Sequence, residues 1–263
     1  NEASMSKGIE LTNINVVDYA DVPASPFKPR KVFNMMLALI IGTAGGIGGI
    51  FLIENMDNSI KTATEARRTL KIPFLGAIPL YSQVGVRNNK NKPQESLKNH
   101  VISESYRAIR TGIYFSSHDA SPRVILVTSS LPREGKTEIS INLSVVFAQG
   151  KERVVLIDSD MRKPRLARVF QLDPQRPGLS DFLSGSVGFN DIVQPTGIPG
   201  LETITSGRIP PNPSELINSD RFSKLLENVR SRWDRIILDS PPLLSVTDGT
   251  ILGKYSDGVI LVV

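Results

Sequence analysis

Between Lys31 and Glu54 the chain runs for 22 residues without a charge, VFNMMLALIIGTAGGIGGIFLI, from Val32 to Ile53. At ~1.5 Å per residue a helix of that length is roughly 33 Å long, enough to cross a hydrocarbon core of ~30 Å. Core helices of soluble proteins are usually shorter and keep a polar stripe, so the segment reads as one membrane span. It starts after residue 31 and lacks a small-residue cleavage site, which argues against a cleaved signal peptide. Gly42 and Gly46, and Gly45 and Gly49, recur at four-residue spacing, the small-xxx-small pattern that lets membrane helices approach closely. Glycine is common in membrane helices in any case, so self-association through this face stays open.

The flanking charges do not orient the span. Lys28, Arg30 and Lys31 precede it and Lys61, Arg67, Arg68 and Lys71 follow it, three against four. Outside the span the composition is that of a soluble fold, with 22% charged residues over the whole chain. The net charge of +5 comes from scattered basic residues and gives no argument for nucleic acid. With no cysteine in the chain, a disulfide framework, a thiolate metal site and a cysteine nucleophile are excluded. The chain opens at Asn1 without a methionine and stops inside the apolar run DGVILVV, so both ends read as cut.

After the span, Thr62 and Glu65 form a capping-box start for a short helix. IPFLGAIPL then reads as a docked strand or extended arm. Residues 82–100 lack periodicity and are rich in Asn and Lys, so they read as a flexible linker whose cations either touch anionic lipid or simply face water.

From Arg123 onward strands and helices alternate. RVILVTSS, VVLIDSD, RIILDSPP and GVILVV are apolar, β-branched runs, and TEISINLSVVFAQG and FSKLLENVRSRW carry helical spacing. The expected fold is therefore α/β, a P-loop NTPase-like, mostly parallel sheet with helices on both faces, preceded by one transmembrane helix. Ser130 to Thr137, SLPREGKT, fits G-x-x-x-x-G-K-[ST] with serine in place of the first glycine. Such a turn aims backbone N–H groups and a positive helix end at phosphate oxygens. The expected cradle is Ser130, Pro132, Arg133, Glu134, Gly135, Lys136, Thr137 and Glu138. Lys136 would meet the β- and γ-phosphates and the Thr137 hydroxyl would ligate Mg²⁺.

Asp158 and Asp160 stand two apart at a strand end, where alternation puts both on one face, and Asp239 ends another buried strand. Carboxyl ends of parallel strands form the crevice in which ligands bind. Three carboxylates there raise one another's pKa unless a proton or a cation intervenes, and nucleotide-borne Mg²⁺ is the natural cation. Arg162, Lys163 and Arg165 either supply charge at that crevice or form a solvated basic turn.

Taken together, these motifs resemble the bacterial tyrosine kinases fused to polysaccharide co-polymerases of the chain-length-determinant type. VVDYADVPASPFKPRK resembles the family's approach to its second membrane helix, IPFLGAIP its juxtamembrane motif and ESYRAIRT its E-x-x-R-x-x-R motif. SSLPREGKT, VVLIDSDMRKP and IILDSPP are similar to its three Walker-type motifs, and GRIPPNPSEL to a further family stretch. The resemblance implies ATP- and Mg²⁺-dependent phosphorylation of protein tyrosine, with acceptors in a C-terminal tyrosine cluster of neighbouring subunits that is absent from this chain. It implies that Lys136, Asp158, Asp160 and Asp239 are catalytic, with Asp158 accepting the tyrosyl proton. Thr137, Asp160 and Asp239 would hold the metal. Glu104, Arg107 and Arg110 would mediate assembly of a ring-shaped homo-oligomer, the bland reading being an intrahelical Glu–Arg pair.

The implied layout is the end of a periplasmic region at 1–31, the transmembrane helix at 32–53, a juxtamembrane segment and linker at 54–103, and a cytoplasmic kinase domain at 104–263. That places the protein in the bacterial inner membrane, in contact with the bilayer and the polysaccharide polymerisation and export machinery. Tyr19, Tyr81, Tyr106, Tyr114 and Tyr255 are dispersed and read as packing or surface residues. Two other readings share parts of the pattern. Partition-type switch ATPases carry a lysine where this chain has Leu131 and have no membrane span ahead of the nucleotide domain. A non-catalytic scaffold has no physical need for three clustered carboxylates. Eukaryotic-type kinase chemistry is excluded, since the chain has neither H-R-D nor D-F-G.

Overall fold

The computed structural model describes residues 28–56, 65, 68, 71–84, 93–116 and 121–263. Thr62 of the expected capping box, Tyr19 and the middle of the expected linker lie outside the described residues. The chain divides into two units, Asn1–Ser59 and Ile60–Val263.

In the first unit the uncharged run forms helix α1, Lys31–Met56, with apolar side chains on every face and none of them buried within the chain. It is long and apolar enough to cross a membrane.

The second unit is built on a six-stranded sheet. Its strands are β1 (Val124–Ser129), β2 (Val154–Asp158), β3 (Val193–Pro195), β4 (Leu201–Ile204), β5 (Arg235–Asp239) and β6 (Gly258–Val262). Their order is β3-β4-β2-β5-β1-β6, all parallel except the β3–β4 pair. The longer helices are α2 (His100–Tyr114), α3 (Lys136–Gln149) and, near the end, α8 (Asp220–Arg232). Between α3 and α8 lie short helices α4 (Leu166–Val169), α5 (Leu179–Leu183), α6 (Phe189–Ile192) and α7 (Pro213–Ile217), and α9 (Asp248–Gly253) follows β5.

Alternation along the strands feeds two cores, one on each face. Val124, Leu126, Val155, Ile157, Ile236 and Leu238 pack with Phe222, Leu225 and Val229 of α8. Ile125, Val127, Val154, Leu156 and Ile237 pack on the other face with Ile141 and Phe147 of α3 and Ile109 and Ile113 of α2. A sheet covered on both sides explains why its strands read as continuous apolar runs.

The four expected strands are present. β3 and β4 were not legible, because each is three or four residues long and carries Gln194, Pro195, Glu202 and Thr203 in place of an apolar run. Tertiary hydrogen bonds compensate: the Thr203 hydroxyl donates to Leu156 O at 2.8 Å, and Gln194 Nε2 donates to Thr205 Oγ1 at 3.1 Å.

IPFLGAIPL is an extended arm without strand pairing, with Leu75 and Ile78 packed on the core. It lies so close to α2 that a methyl at Gly76 would come within 2.8 Å of Ile109 Cγ1. The second half of the expected flexible linker is ordered. Pro93–Lys98 form a 3₁₀ turn, Ser96 is buried, and the Asn99 side chain caps α2 by accepting the N–H groups of Val101 and Ile102. Polar composition concealed this, because Asn99 and Ser96 are used as a cap and a buried hydrogen-bond partner. Helix α2 runs straight through the 103/104 boundary expected between linker and kinase domain.

Candidate functional site

The turn from Ser130 to Gly135 joins the end of β1 to the start of α3. Glu134 braces it by accepting the Leu131 N–H at 2.9 Å, and the Ser129 hydroxyl donates to Leu131 O at 2.8 Å. Two residues hold left-handed backbone, Arg133 at φ 74° and Gly135 at φ 90°. At Arg133 such a conformation costs about 1–2 kcal/mol, the kind of strain that persists at functional sites. Gly135 caps α3, and a methyl there would meet nothing within 4 Å. The first N–H groups of α3 have no partner within the helix and carry its positive end, which makes the loop an anion cradle. Ser130 ties the cradle to the segment after β5 by accepting the Leu244 N–H at 3.3 Å. Pro132 is exposed, and Glu138, half-buried in the first turn of α3, has its carboxyl pushed up to about 7 by burial.

The three aspartates meet at the carboxyl ends of β2 and β5. Asp158 and Asp239 are register partners on the two strands, and the Ser159 N–H donates to Asp239 O at 2.8 Å. β2 ends at Asp158, so Asp160 is placed by the following turn and not by strand alternation, which corrects the expected reason for its position. Its Oδ1 accepts the Lys163 N–H at 3.0 Å, and its Oδ2 lies 3.5 Å from Lys136 Nζ. Asp158 Oδ2 accepts the Arg165 and Leu166 N–H groups, both at 3.0 Å, while its Oδ1 is buried with no partner. Asp239 Oδ1 accepts the Ser140 hydroxyl at 3.1 Å, and the nearby Thr137 hydroxyl helps to hold its pKa down.

All three carboxylates are almost fully buried, at 1%, 6% and 1% exposure for Asp158, Asp160 and Asp239. Burial, and then the charge of Asp239, raise the Asp158 pKa well above the carboxylate range. Asp239 is also raised by burial, with Lys136, Thr137 and Ser140 pulling it back. The sequence expected a cation to reconcile these charges. The protein already supplies a lysine, backbone amides and two hydroxyls. Among the described residues no group of three His, Cys, Asp or Glu side chains gathers tightly enough to hold a metal unaided. A nucleotide-borne Mg²⁺ needs no such group, because it keeps waters and phosphate oxygens as most of its ligands and takes one or two carboxylates from the protein. The cradle, the unpartnered Asp158 Oδ1 and the oxygen donors of Thr137, Asp160 and Asp239 fit a nucleotide carrying that ion.

The other residues singled out in the sequence divide. Arg162 points into a bidentate pair with buried Asp248, while Lys163 and Arg165 are exposed and serve the site through their backbone N–H groups. Glu104 and Arg107 pair within the helix at 2.5 Å on an exposed face. Arg110 leaves that row, because its Nη1 donates to Val146 O of α3 at 2.6 Å. The described tyrosines are packing residues. Tyr106 is buried and its hydroxyl accepts Asn142 Nδ2 at 3.2 Å, Tyr255 stacks edge-on with Phe222 at 5.1 Å, Tyr114 packs on Phe147, and Tyr81 lies against the core of α2. Sequence reasoning missed Ser140 and Asp248. Ser140 sits three residues after Thr137 on the same face of α3, and that spacing was its only signal.

Residues 123–263 match the AAA domain family, and residues 1–54 match the GNVR family, a G-rich domain on tyrosine kinases. The tyrosine-protein kinase ptk of Acinetobacter johnsonii is 36% identical over 268 residues, covering 98% of this chain and 36% of that protein. The tyrosine-protein kinase etk of Escherichia coli (strain K12) is 31% identical over 278 residues, covering 99% of this chain and 38% of that protein. The chain thus spans little more than a third of the length of these curated relatives. The solved kinase domain of Escherichia coli tyrosine kinase ETK aligns with a TM-score of 0.70 at 30% identity, over 78% of this chain and 82% of that chain.

Proposed function

Because the chain belongs to the bacterial tyrosine kinases, we propose that its nucleotide-binding body takes ATP with Mg²⁺ and transfers a phosphoryl group to protein tyrosine. The observation that carries this reading is the meeting of Lys136 and Asp160 at 3.5 Å, between the cradle and the buried Asp158–Asp239 pair. Phosphoryl transfer is mostly positioning and charge neutralisation, which is what this arrangement offers. When bound, magnesium triphosphate supplies the reactive group and neutralises developing charge. Lys136 and the amides of the cradle hold phosphate oxygens, and Thr137, Asp160 and Asp239 hold the cation. Asp158 has one oxygen fixed by two N–H groups and the other buried and unpartnered, which leaves a single basic atom to take the tyrosyl proton. Burial and the charge of Asp239 raise its pKa, which strengthens it as a proton acceptor once it is ionised.

The apolar helix and the G-rich domain associate the chain with membrane. In this reading the membrane is the bacterial inner membrane, with residues 1–31 periplasmic and the body cytoplasmic, since ATP is cytosolic. The acceptors are a tyrosine cluster on neighbouring subunits of a ring, which fits the commitment of Tyr81, Tyr106, Tyr114 and Tyr255 to packing. Glu104 and Arg107, exposed on α2, are free to exchange their mutual pair for contacts with a neighbour, and the role of the assembly is control of polysaccharide polymerisation and export. The test is incubation of the intact parent protein with γ-labelled ATP beside Lys136→Met. Label on tyrosine in the first only is the expected result. Phosphate release without tyrosine label would establish a switch ATPase instead. Protease cleavage of residues 82–100 only from the periplasmic face of sealed vesicles would reverse the orientation.

A further inference from the structure

A second charge pair lies behind the aspartates. Asp248 opens α9 and is completely buried. Arg162 Nε donates to its Oδ2 at 2.9 Å and Arg162 Nη2 to its Oδ1 at 3.3 Å. The same Nη2 reaches Ser214 Oγ at 3.2 Å, and the Ser214 hydroxyl donates to Asp248 Oδ1. Burial pushes the Asp248 carboxyl up, but the Arg162 and Ser214 bonds outweigh it and hold the group below the usual range. Three segments meet here, the turn after β2, the start of α7 and the start of α9, with Arg162 lying 52 residues from Ser214 and 86 from Asp248. A guanidinium fork on a carboxylate fixes orientation as well as distance.

Both ends of this brace run into the site. Arg162 follows Asp160 by two residues, in the turn whose Lys163 N–H fixes Asp160 Oδ1 and leaves Oδ2 facing Lys136. At the other end, Gly249 adjoins Asp248, and a methyl there would come within 2.8 Å of Leu243 Cδ2 and 3.4 Å of Pro241 O. The start of α9 therefore sits directly on the turn that follows Asp239. That turn is itself pinned to β1 by the Ser240 N–H on Val127 O at 3.2 Å and the Leu243 N–H on Ser129 O at 2.8 Å. No direct hydrogen bond between Asp160 and Asp239 is needed to set their spacing, because the brace ties the turn that carries Asp160 to the turn that follows Asp239.

We infer that Asp248, acting through Arg162 and Ser214, is a positioning residue that sets the separation of Asp160 and Asp239 and so governs the site's grip on the nucleotide's cation. The inference rests on the magnesium-nucleotide reading above and adds to it a residue that acts from behind the site. Partners that orient metal-binding carboxylates typically change metal affinity by about 10–100-fold.

The test measures binding of a fluorescent ADP analogue to the full chain in detergent, once with excess Mg²⁺ and once in EDTA. In Asp248→Asn the Mg²⁺-dependent gain in affinity falls by about 10-fold or more, while affinity in EDTA is unchanged. Arg162→Lys keeps the charge but not the fork and loses an intermediate part of the gain. Should Asp248→Asn fail to fold, Ser214→Ala removes one hydroxyl from the brace and shows the same selective loss. A gain equal to wild type, or a proportional loss with and without Mg²⁺, overturns the inference, the second result marking a merely structural role. A wild-type chain with no Mg²⁺-dependent gain at all would instead sink the underlying reading of the site, and is recognisable because no substitution is involved.

Discussion

Asp158 and Asp239 stand opposite each other as register partners at the ends of two adjacent parallel strands, both almost fully buried and only one residue short of the turns that complete the site. Two carboxylates so placed cannot both ionise cheaply.

That pairing predicts how stability depends on pH. Both groups have folded-state pKa values raised by burial, so the stability they contribute is present in acid and lost as pH rises from about 4, the ordinary carboxylate range, toward about 8. The nucleotide-free chain is expected to melt at progressively lower temperature across that window. Asp158→Asn, which removes one titrating group, gives a flatter profile in calorimetry or circular dichroism. A profile as steep as wild type would contradict the assignment.

Gly135→Ala separates cradle function from fold stability. The added methyl meets no atom within 4 Å, so its cost to the empty chain is the left-handed backbone, about 1–2 kcal/mol. In the proposed reading phosphate oxygens approach this backbone closely, so nucleotide affinity is expected to fall by more than that stability loss implies. Titration calorimetry with Mg·ADP beside a denaturation curve distinguishes the two effects.

Along α2, the three motif residues divide. The Glu104–Arg107 pair is exposed, so Glu104→Ala changes protomer stability by only about 0.2–0.5 kcal/mol. Arg110 bonds the carbonyl of Val146 near the end of α3, and Arg110→Ala costs more, about 1.5–3 kcal/mol. If Glu104 and Arg107 serve assembly, Glu104→Ala lowers the oligomeric state in analytical ultracentrifugation while leaving the denaturation midpoint nearly unchanged.

At the opposite end of β5, Arg235 is nearly buried against Glu152, with Nε donating to Oε2 at 2.9 Å and its guanidinium 4.6 Å from the Phe147 ring centroid. Removing one member of such a pair leaves an uncompensated charge, so Arg235→Ala is expected to destabilise by about 3–5 kcal/mol in urea denaturation. Lysine will not rescue it, since the planar fork serves Glu152 and Ser121 and stacks on Phe147 at once. Nucleotide affinity of the folded fraction stays at the wild-type level, because this end of the strand lies away from the cradle.

Much of the candidate site is legible in the sequence. The turn between a buried strand and a helix marked Gly135, Lys136 and Thr137, and apolar runs ending in acid marked Asp158 and Asp239. Asp160 lies beyond the last residue of β2, so strand alternation does not account for its place beside Lys136. Ser140 and Asp248 were hidden because a serine in a helix and an acid at a helix start have common local explanations. Their roles come from partners 99 and 86 residues away, Asp239 and Arg162. The ordered stretch at Pro93–Lys98 was hidden for a related reason, because Ser96 finds its partner in Asn142, 46 residues later.

The sequence by itself determined the membrane-length helix, the alternation of buried strands with helices and the order of the phosphate and acidic motifs. These are written in the run length and period of apolar side chains, and neighbours in the chain suffice to read them. Only the tertiary structure decided that Lys136 faces Asp160, that Arg162 is held by Asp248 and that Arg110 abandons its motif for Val146. A charged side chain is matched to its partner where loops from distant strands converge, and burial there makes an unpaired group costly, so the choice belongs to the assembled fold.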